Sequence, residues 1–263
     1  MVSHDSSSSA AGFTAVRDGR VLRVTISNPG RKNAISYQTM VALGDTFLAV
    51  ADDPAVRVVL LTGDGTDFCT GADLAADANG ITPEMTMDAA NRLVRAIVDS
   101  PVPVITRIRG AAAGVGVGIA LAADLVYAAE DSYLLLAFIN IGLMPDGGAA
   151  ALVAAAAGRP LANEMALLGK RLPAPAAKAA GLLTAALPVD ELDSVVEAAV
   201  DKIATGPRRA LELTKKALNI ATLRALDEVL DAEKTGQVEL LGSADFLEGA
   251  TAMLGKRKAV FAD

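Results

Sequence analysis

The chain has 263 residues, of which 52% are hydrophobic and 21% charged, enough to bury a sizeable core in one large domain. Its net charge of −7 argues against a general nucleic-acid-binding protein. The only histidine, His4, lies in a polar N-terminal segment, which excludes a Ser-His-Asp triad, a Cys-His pair and most histidine-ligated metal sites. A single cysteine excludes a disulfide framework within the chain and predicts a cytoplasmic protein.

The hydrophobic patterning predicts an α/β arrangement followed by helices. In chain order it predicts a disordered tail at 1–12, strands at 13–17 and 21–27, a helix at 36–51, a strand at 56–62, a helix at 88–99, and strands at 102–108 and 124–128. Asp18 and Gly19 between the first two strands are typical of a hairpin turn, and Ser36 is a typical helix N-cap. From residue 161 onward the pattern is almost wholly helical.

A glycine-rich segment stands in the most apolar part of the chain, between the strands at 102–108 and 124–128. Glycines let a backbone approach a ligand closely, and a helix start leaves N–H groups free to face an anion. The window 111–129 is long enough for a membrane helix, but its glycines and Asp124 favour a buried helix and strand. We therefore predict an oxyanion-binding site here.

The spacing of Gly110, Gly114 and Gly116 also resembles the nucleotide loop of short-chain dehydrogenases. Those enzymes need a Tyr-xxx-Lys pair, and none of the chain's three tyrosines has a lysine four residues later. A redox enzyme is therefore not predicted. Close packing of a helix on a sheet remains the simple alternative explanation of the glycines.

Four motifs together resemble the enoyl-CoA hydratase/isomerase (crotonase) superfamily over residues 13–261. They are NPGRKNAIS at 28–36, FCTGADL at 68–74, PDGGAA at 145–150 and LEGATAMLGKRKAVF at 247–261. The resemblance implies a ββα spiral core with an acyl-CoA site at 13–160 and a helical region at 161–263 that builds a homotrimer or hexamer. It also implies an acyl-CoA thioester substrate, no separate cofactor, no metal, and no nucleic-acid or membrane partner.

The resemblance also implies roles for individual residues. The backbone N–H groups of Ala72 and Val115 match the pair that holds the thioester oxygen and stabilises the enolate. The residues matching the CoA-binding part of the site are Arg31, Lys32, Ala34, Thr70, Asp73, Leu74, Gly114 and Lys256. Arg31 and Lys32 would otherwise be solvated turn charges, and Lys256 an ordinary cation at a helix C-terminus.

Hydratases of this superfamily use two glutamates, and this chain has Gly118 and Phe138 at the matching positions of the acyl pocket. Neither residue can activate water or protonate carbon. Asp146, in GLMPDGG, is the best remaining carboxylate, so we predict double-bond isomerisation with Asp146 as the proton shuttle. Four alternatives stay open: Asp146 is only a helix N-cap, the chain binds acyl-CoA without catalysis, it is a hydratase using other acids, or it is an α/β scaffold without a CoA site.

Overall fold

The computed structural model describes residues 8–10, 12–76 and 79–261. Its strands are β1 (Ser8–Ala10), β2 (Phe13–Asp18), β3 (Val21–Ile26), β4 (Val58–Gly63), β5 (Val104–Ile108), β6 (Ala111–Ala113), β7 (Leu125–Ala129), β8 (Tyr133–Leu135), β9 (Leu172–Pro173) and β10 (Ala185–Leu187). Seven of them form one sheet in the order β1-β2-β3-β4-β5-β7-β10, and β6, β8 and β9 form a second sheet. Pairing is antiparallel from β1 to β3 and parallel from β3 to β10.

The helices are α1 (Tyr37–Ala49), α2 (Pro83–Val98), α3 (Val115–Leu121), α4 (Ala149–Leu168), α5 (Ala174–Ala179), α6 (Val189–Ala204), α7 (Arg208–Thr222), α8 (Leu226–Leu241) and α9 (Ala244–Leu254). Ser36 caps α1, because its hydroxyl accepts a hydrogen bond from the Thr39 N–H at 3.1 Å. Short 3₁₀ helices at Pro29–Arg31 and Phe138–Ile141 flank the region where the sequence predicts the site.

The main sheet separates two apolar clusters. On one face its side chains pack with α1, α2, α3 and α4 in the larger cluster. On the other face Val58, Leu60 and Ile105 pack against the buried side of α6, which includes Leu192 and Val196. The mixed α/β architecture and the run of C-terminal helices confirm the predicted fold class.

Two predictions about local structure are corrected. Ser8–Ala10 were predicted as disordered tail but form β1, because the left-handed Gly12 (φ 98°) lets the chain fold back onto β2. Residues 1–7 and 11 of that predicted tail lie outside the described residues. The region after residue 160 is not purely helical, since β10 joins the main sheet beside β7. Strands of two or three residues are too short to show alternation in a sequence.

Candidate active site

Two glycine-containing loops lie against each other at the predicted oxyanion site. The Cys69 N–H donates to the Ala111 oxygen at 3.1 Å, and the Ala113 N–H donates back to the Cys69 oxygen at 2.8 Å. Gly71 (φ 103°) and Gly114 (φ 56°) are both left-handed. A Cβ on Gly71 would lie 3.2 Å from the Ala113 oxygen, and one on Gly114 would lie 3.4 Å from the Gly71 Cα. The left-handed backbone favours glycine at both positions, and at Gly71 the close approach of the other loop does so as well.

The backbone N–H groups of Ala72 and Val115 stand on these two loops. Ala72 forms a parallel bridge with Ile35, in which the flanking Gly71 oxygen and Asp73 N–H make the hydrogen bonds. The Ala72 N–H therefore points to the opposite side of the strand. Val115 is the first residue of α3, so its N–H has no intrahelical acceptor. In the described part of the chain neither N–H donates a hydrogen bond.

Gly118 and Phe138, which the sequence predicts to stand where hydratases carry glutamates, offer no polar side chain. A Cβ on Gly118 would lie 2.3 Å from the Gly147 oxygen, so the backbone after Asp146 occupies the space of any side chain there. Phe138 is buried, and its Cζ lies 3.9 Å from where a Cβ on Gly114 would be. An aromatic ring therefore lies next to the Gly114 loop.

Asp146 lies on the segment that covers α3. A Cβ on Gly147 would lie 2.8 Å from the Val115 Cγ2, which shows how tightly this segment packs on the start of the helix. Oδ2 of Asp146 accepts a hydrogen bond from Gln237 Nε2 at 2.9 Å. Oδ1 is buried and has no hydrogen-bond partner among the described residues. Burial raises the pKa of Asp146 to about 7; the Gln237 hydrogen bond opposes this rise and the nearby charge of Glu233 adds to it.

The structure rejects the alternative that Asp146 is only a helix N-cap. The N-terminus of α4 is capped from α8, because the Glu233 carboxylate accepts hydrogen bonds from the Gly148 N–H at 2.7 Å and the Ala150 N–H at 2.9 Å. The Asp146 side chain makes no capping hydrogen bond. Its carboxylate is therefore left for another role.

The sequence reasoning missed Glu233 and Gln237. They lie 85 and 91 residues from their partners Gly148 and Asp146, so no local motif connects them. A signal was nevertheless present, because both interrupt the buried stripe of α8 that begins with Leu226 and Leu230. Each is only 1% exposed, and a buried polar side chain needs a specific partner.

Arg31 and Asp73, both predicted to bind CoA, form an ion pair beside the Ala72 loop. Arg31 Nη2 and Nε donate to Asp73 Oδ1 at 2.9 and 3.3 Å. Burial would raise the pKa of Asp73, but the hydrogen bonds from Arg31 and the Ala75 N–H hold it below its usual value. Thr70 belongs to the same surface, since its hydroxyl donates to the Lys32 oxygen at 3.1 Å. Arg31 is thus a paired residue rather than a freely solvated turn charge.

The remaining predicted CoA-binding residues are placed differently. Ala34 is buried, Leu74 is exposed, and the Lys32 ammonium is mostly exposed, 4.0 Å from the Asp67 carboxylate. Lys256 follows α9 and is exposed, and within the described ranges its ammonium has no hydrogen bond or ion pair. Arg31, Thr70 and Asp73 therefore lie together beside the Ala72 loop. Among the described residues, no hydrogen bond or ion pair connects Lys256 to them.

Asn33 holds the 28–36 loop in place and was also missed. It is 1% exposed and left-handed (φ 57°). Its Nδ2 donates to the backbone carbonyl oxygens of Asp64 at 2.8 Å and Asp67 at 2.7 Å, and its Oδ1 accepts from the Asn28 N–H at 2.9 Å. One buried amide therefore ties the loop carrying Arg31 to the turn after β4.

Within residues 8–10, 12–76 and 79–261, no cluster of three or more His, Cys, Asp or Glu side chains is arranged to hold a metal ion. The same residues include no helix long and apolar enough to cross a membrane.

Comparison with known proteins shows the same architecture and related sequences. The sequence model of the family described as enoyl-CoA hydratase/isomerase matches residues 17–263. The chain is 36% identical to 1,2-epoxyphenylacetyl-CoA isomerase of Escherichia coli (strain K12), over 92% of this chain and 94% of that protein. It is 38% identical to a probable enoyl-CoA hydratase of Rhodobacter capsulatus, over 78% of this chain and 80% of the relative. A crystal structure of an enoyl-CoA hydratase from Mycobacterium avium subsp. paratuberculosis K-10 superposes with a TM-score of 0.92 at 44% identity, covering 97% of this chain and all of that one.

Proposed function

Because the chain belongs to the enoyl-CoA hydratase/isomerase family, we propose that it shifts a carbon–carbon double bond in an acyl-CoA thioester, with Asp146 as the proton shuttle. The observation that carries this proposal is the Asp146 carboxyl group. Its Oδ1 is buried and has no hydrogen-bond partner in the part of the chain that the structure describes, its pKa is about 7, and it lies on a segment packed against the start of α3.

The proposed reaction needs one base and one anion-binding site. Asp146 removes a proton from the α-carbon of a 3-enoyl thioester, and the electrons of that C–H bond move into a dienolate. The N–H groups of Ala72 and Val115 hold the oxygen on which the negative charge develops. The protonated Asp146 then delivers its proton to the γ-carbon, which gives the 2-enoyl thioester and restores the carboxylate. No atom is gained or lost, so one carboxyl group is sufficient.

Hydration would need more than the site offers. A hydratase needs one group to activate water and another to protonate carbon. Position 118 has no space for a side chain, and position 138 carries an aromatic ring. The isomerase name of the Escherichia coli relative also favours isomerisation, whereas the Rhodobacter capsulatus relative is named as a probable hydratase.

The wider setting of the site belongs to the same proposal. Arg31 and Asp73 form the entrance for the CoA moiety, and Phe138 keeps the acyl pocket dry. The C-terminal helices form the interface of a trimer or hexamer, and their exposed large apolar side chains support this. These are Leu213, Leu218, Ile220, Leu247, Met253 and Leu254. Lys256 reaching the CoA of a neighbouring subunit, and a cytoplasmic location, stay predictions.

The test is turnover of a 3-enoyl-CoA by the wild type and by Asp146→Asn. Removing a general acid–base group costs about 10²–10⁴-fold, so we expect kcat to fall by at least about 100-fold in the variant. The matched control is Asp190→Asn, on the exposed first turn of α6, which should keep wild-type rates. Equal rates for Asp146→Asn and the wild type would remove Asp146 from the mechanism.

The pH profile of the wild type gives a second readout. Asp146 must be ionised to accept the proton, so kcat/KM should rise with pH, reach half its maximum near pH 7, and then stay level. Saturable acyl-CoA binding without turnover of either 2-enoyl or 3-enoyl thioesters would instead indicate a binding protein. Rapid water addition to a 2-enoyl-CoA would indicate a hydratase that uses other acids.

A further inference from the structure

Helix α8 presents a buried glutamine to the proposed proton shuttle. Gln237 is 1% exposed and lies one helical turn after Glu233, on the same face of α8. Both atoms of its amide have partners, because Nε2 donates to Asp146 Oδ2 at 2.9 Å and Oε1 accepts from the Met144 N–H at 3.2 Å. This side chain therefore joins the backbone before Asp146 to the carboxyl group itself.

The orientation of this amide is fixed by chemistry. The oxygen and the NH₂ group of a glutamine amide can exchange places only if each partner can both donate and accept a hydrogen bond. The Met144 N–H can only donate, so the Gln237 oxygen must face it and the Gln237 NH₂ group must face Asp146. The packing is also tight, because a Cβ on Gly236 would lie 2.3 Å from the Met144 sulfur.

A fixed donor makes the two oxygens of Asp146 unequal. Oδ2 faces the N–H of Gln237, so a proton on Oδ2 would be repelled by that hydrogen. Oδ1 is buried and has no hydrogen-bond partner among the described residues. We propose that Gln237 is a positioning residue that holds Asp146 so that Oδ1 is the atom that takes the proton from one carbon and returns it to another. This inference rests on the proposed function for its catalytic meaning, and on the two hydrogen bonds for its geometry.

The groups facing Asp146 set the expected direction of a change. Gln237 stabilises the ionised carboxyl and lowers the pKa, while burial and the charge of Glu233 raise it. The Glu233 oxygens are held by the Gly148 and Ala150 N–H groups, so they do not hydrogen-bond Asp146. Removing the Gln237 donor therefore leaves only influences that favour the protonated acid.

Two substitutions separate positioning from packing. Gln237→Met keeps a similar volume but removes both hydrogen bonds. Gln237→Glu keeps an acceptor for the Met144 N–H and places a second carboxyl oxygen against Asp146, so that the two acids share a proton. The control is Glu239→Gln, an exposed change on the same helix. The protonation of Asp146 is followed by ¹³C NMR of the aspartate carboxyl carbons across pH, with the signal assigned by its loss in Asp146→Asn.

We expect the Asp146 titration to move upward by about one pH unit or more in both Gln237 variants, since a hydrogen bond to a charged group is worth about that much. With a 3-enoyl-CoA, kcat at pH 7 should fall about fivefold for a one-unit shift, and further for a larger one, and recover at higher pH, while KM stays within about threefold. Glu239→Gln should change neither. If Gln237→Met does not fold, Gln237→Glu carries the test alone.

An unchanged Asp146 titration in folded Gln237 variants would overturn the inference, because a merely structural glutamine would lower stability without moving that signal. The NMR titration does not depend on turnover, so the two proposals can fail separately. If the wild type does not turn over a 3-enoyl-CoA, the proposed reaction is wrong. The titration then still shows whether Gln237 lowers the pKa of Asp146. A shifted titration with wild-type kinetics supports the hydrogen bond but overturns its role in proton transfer.

Discussion

Adding a side chain at Gly118 should damage the site rather than convert the protein into a hydratase. A Cβ at this position would lie 2.3 Å from the Gly147 oxygen and 3.2 Å from the Gly147 carbonyl carbon. The Gly147 segment is itself held on its other side, because its own Cβ position is 2.8 Å from the Val115 Cγ2. The backbone after Asp146 therefore has to move if Gly118 becomes any other residue.

The size of the effect follows from these contacts. Carbon–oxygen contacts below about 3.2 Å are strongly repulsive, so Gly118→Ala forces a displacement of about 1 Å. Overpacking of this kind costs about 1–3 kcal/mol of the free energy of unfolding. Because Asp146 immediately precedes Gly147, the same displacement moves the carboxyl group, and a 1 Å misplacement can lower the rate about 100-fold.

The assay combines urea denaturation with turnover of a 3-enoyl-CoA for Gly118→Ala and Gly118→Glu. Gly242→Ala is the control, because a Cβ there meets the Glu239 oxygen at an ordinary 3.5 Å and the backbone is not left-handed. We expect the control to stay within about 0.5 kcal/mol of the wild type. A stable Gly118→Glu variant that hydrates a 2-enoyl-CoA would refute the steric argument.

Three further predictions concern buried polar groups. Asp146 has a pKa of about 7 in the folded protein and about 3.9 in the unfolded chain. Its contribution to stability is therefore full below about pH 4 and is lost as pH rises through about 7. In urea denaturation, the unfolding free energy of Asp146→Asn relative to the wild type should rise by up to about 4 kcal/mol between pH 4 and pH 8. Asn33→Ala removes three partly buried hydrogen bonds of a buried amide and should lower the unfolding free energy by about 2–3 kcal/mol, measured the same way. Lys215→Met removes a buried ammonium that lies 2.9 Å from the Asp124 carboxylate and donates to the Ile97 and Val102 oxygens. Because Asp124 is partly exposed and keeps a hydrogen bond from the Val104 N–H, we expect a loss of about 1–3 kcal/mol, and a loss below about 0.5 kcal/mol would show that the pair is structurally unimportant.

The sequence predicted the two loops of the candidate site better than the buried polar side chains that contact its Asp146 segment. The glycine spacing around Gly114 and the motif around Ala72 depend on local backbone requirements, and the structure places the two loops against each other. The start of α1 at Ser36 could be predicted because N-capping also depends only on neighbouring residues. Glu233 and Gln237 act across tertiary contacts, so only their interruption of an apolar helical stripe could have marked them.

The contact between Gly118 and Gly147 links the missing glutamate to the remaining aspartate. A side chain at position 118 would hold the 146–147 backbone away from α3, and glycine there lets this backbone pack against the helix that begins at Val115. The same packing buries Asp146 Oδ1 and raises the pKa of the carboxyl group towards neutrality. A glutamate at position 118 therefore cannot be accommodated in this backbone without moving the segment that carries Asp146 away from α3. Glycine at position 118 and a buried Asp146 are therefore compatible with the proposed isomerisation, which needs only one carboxyl group.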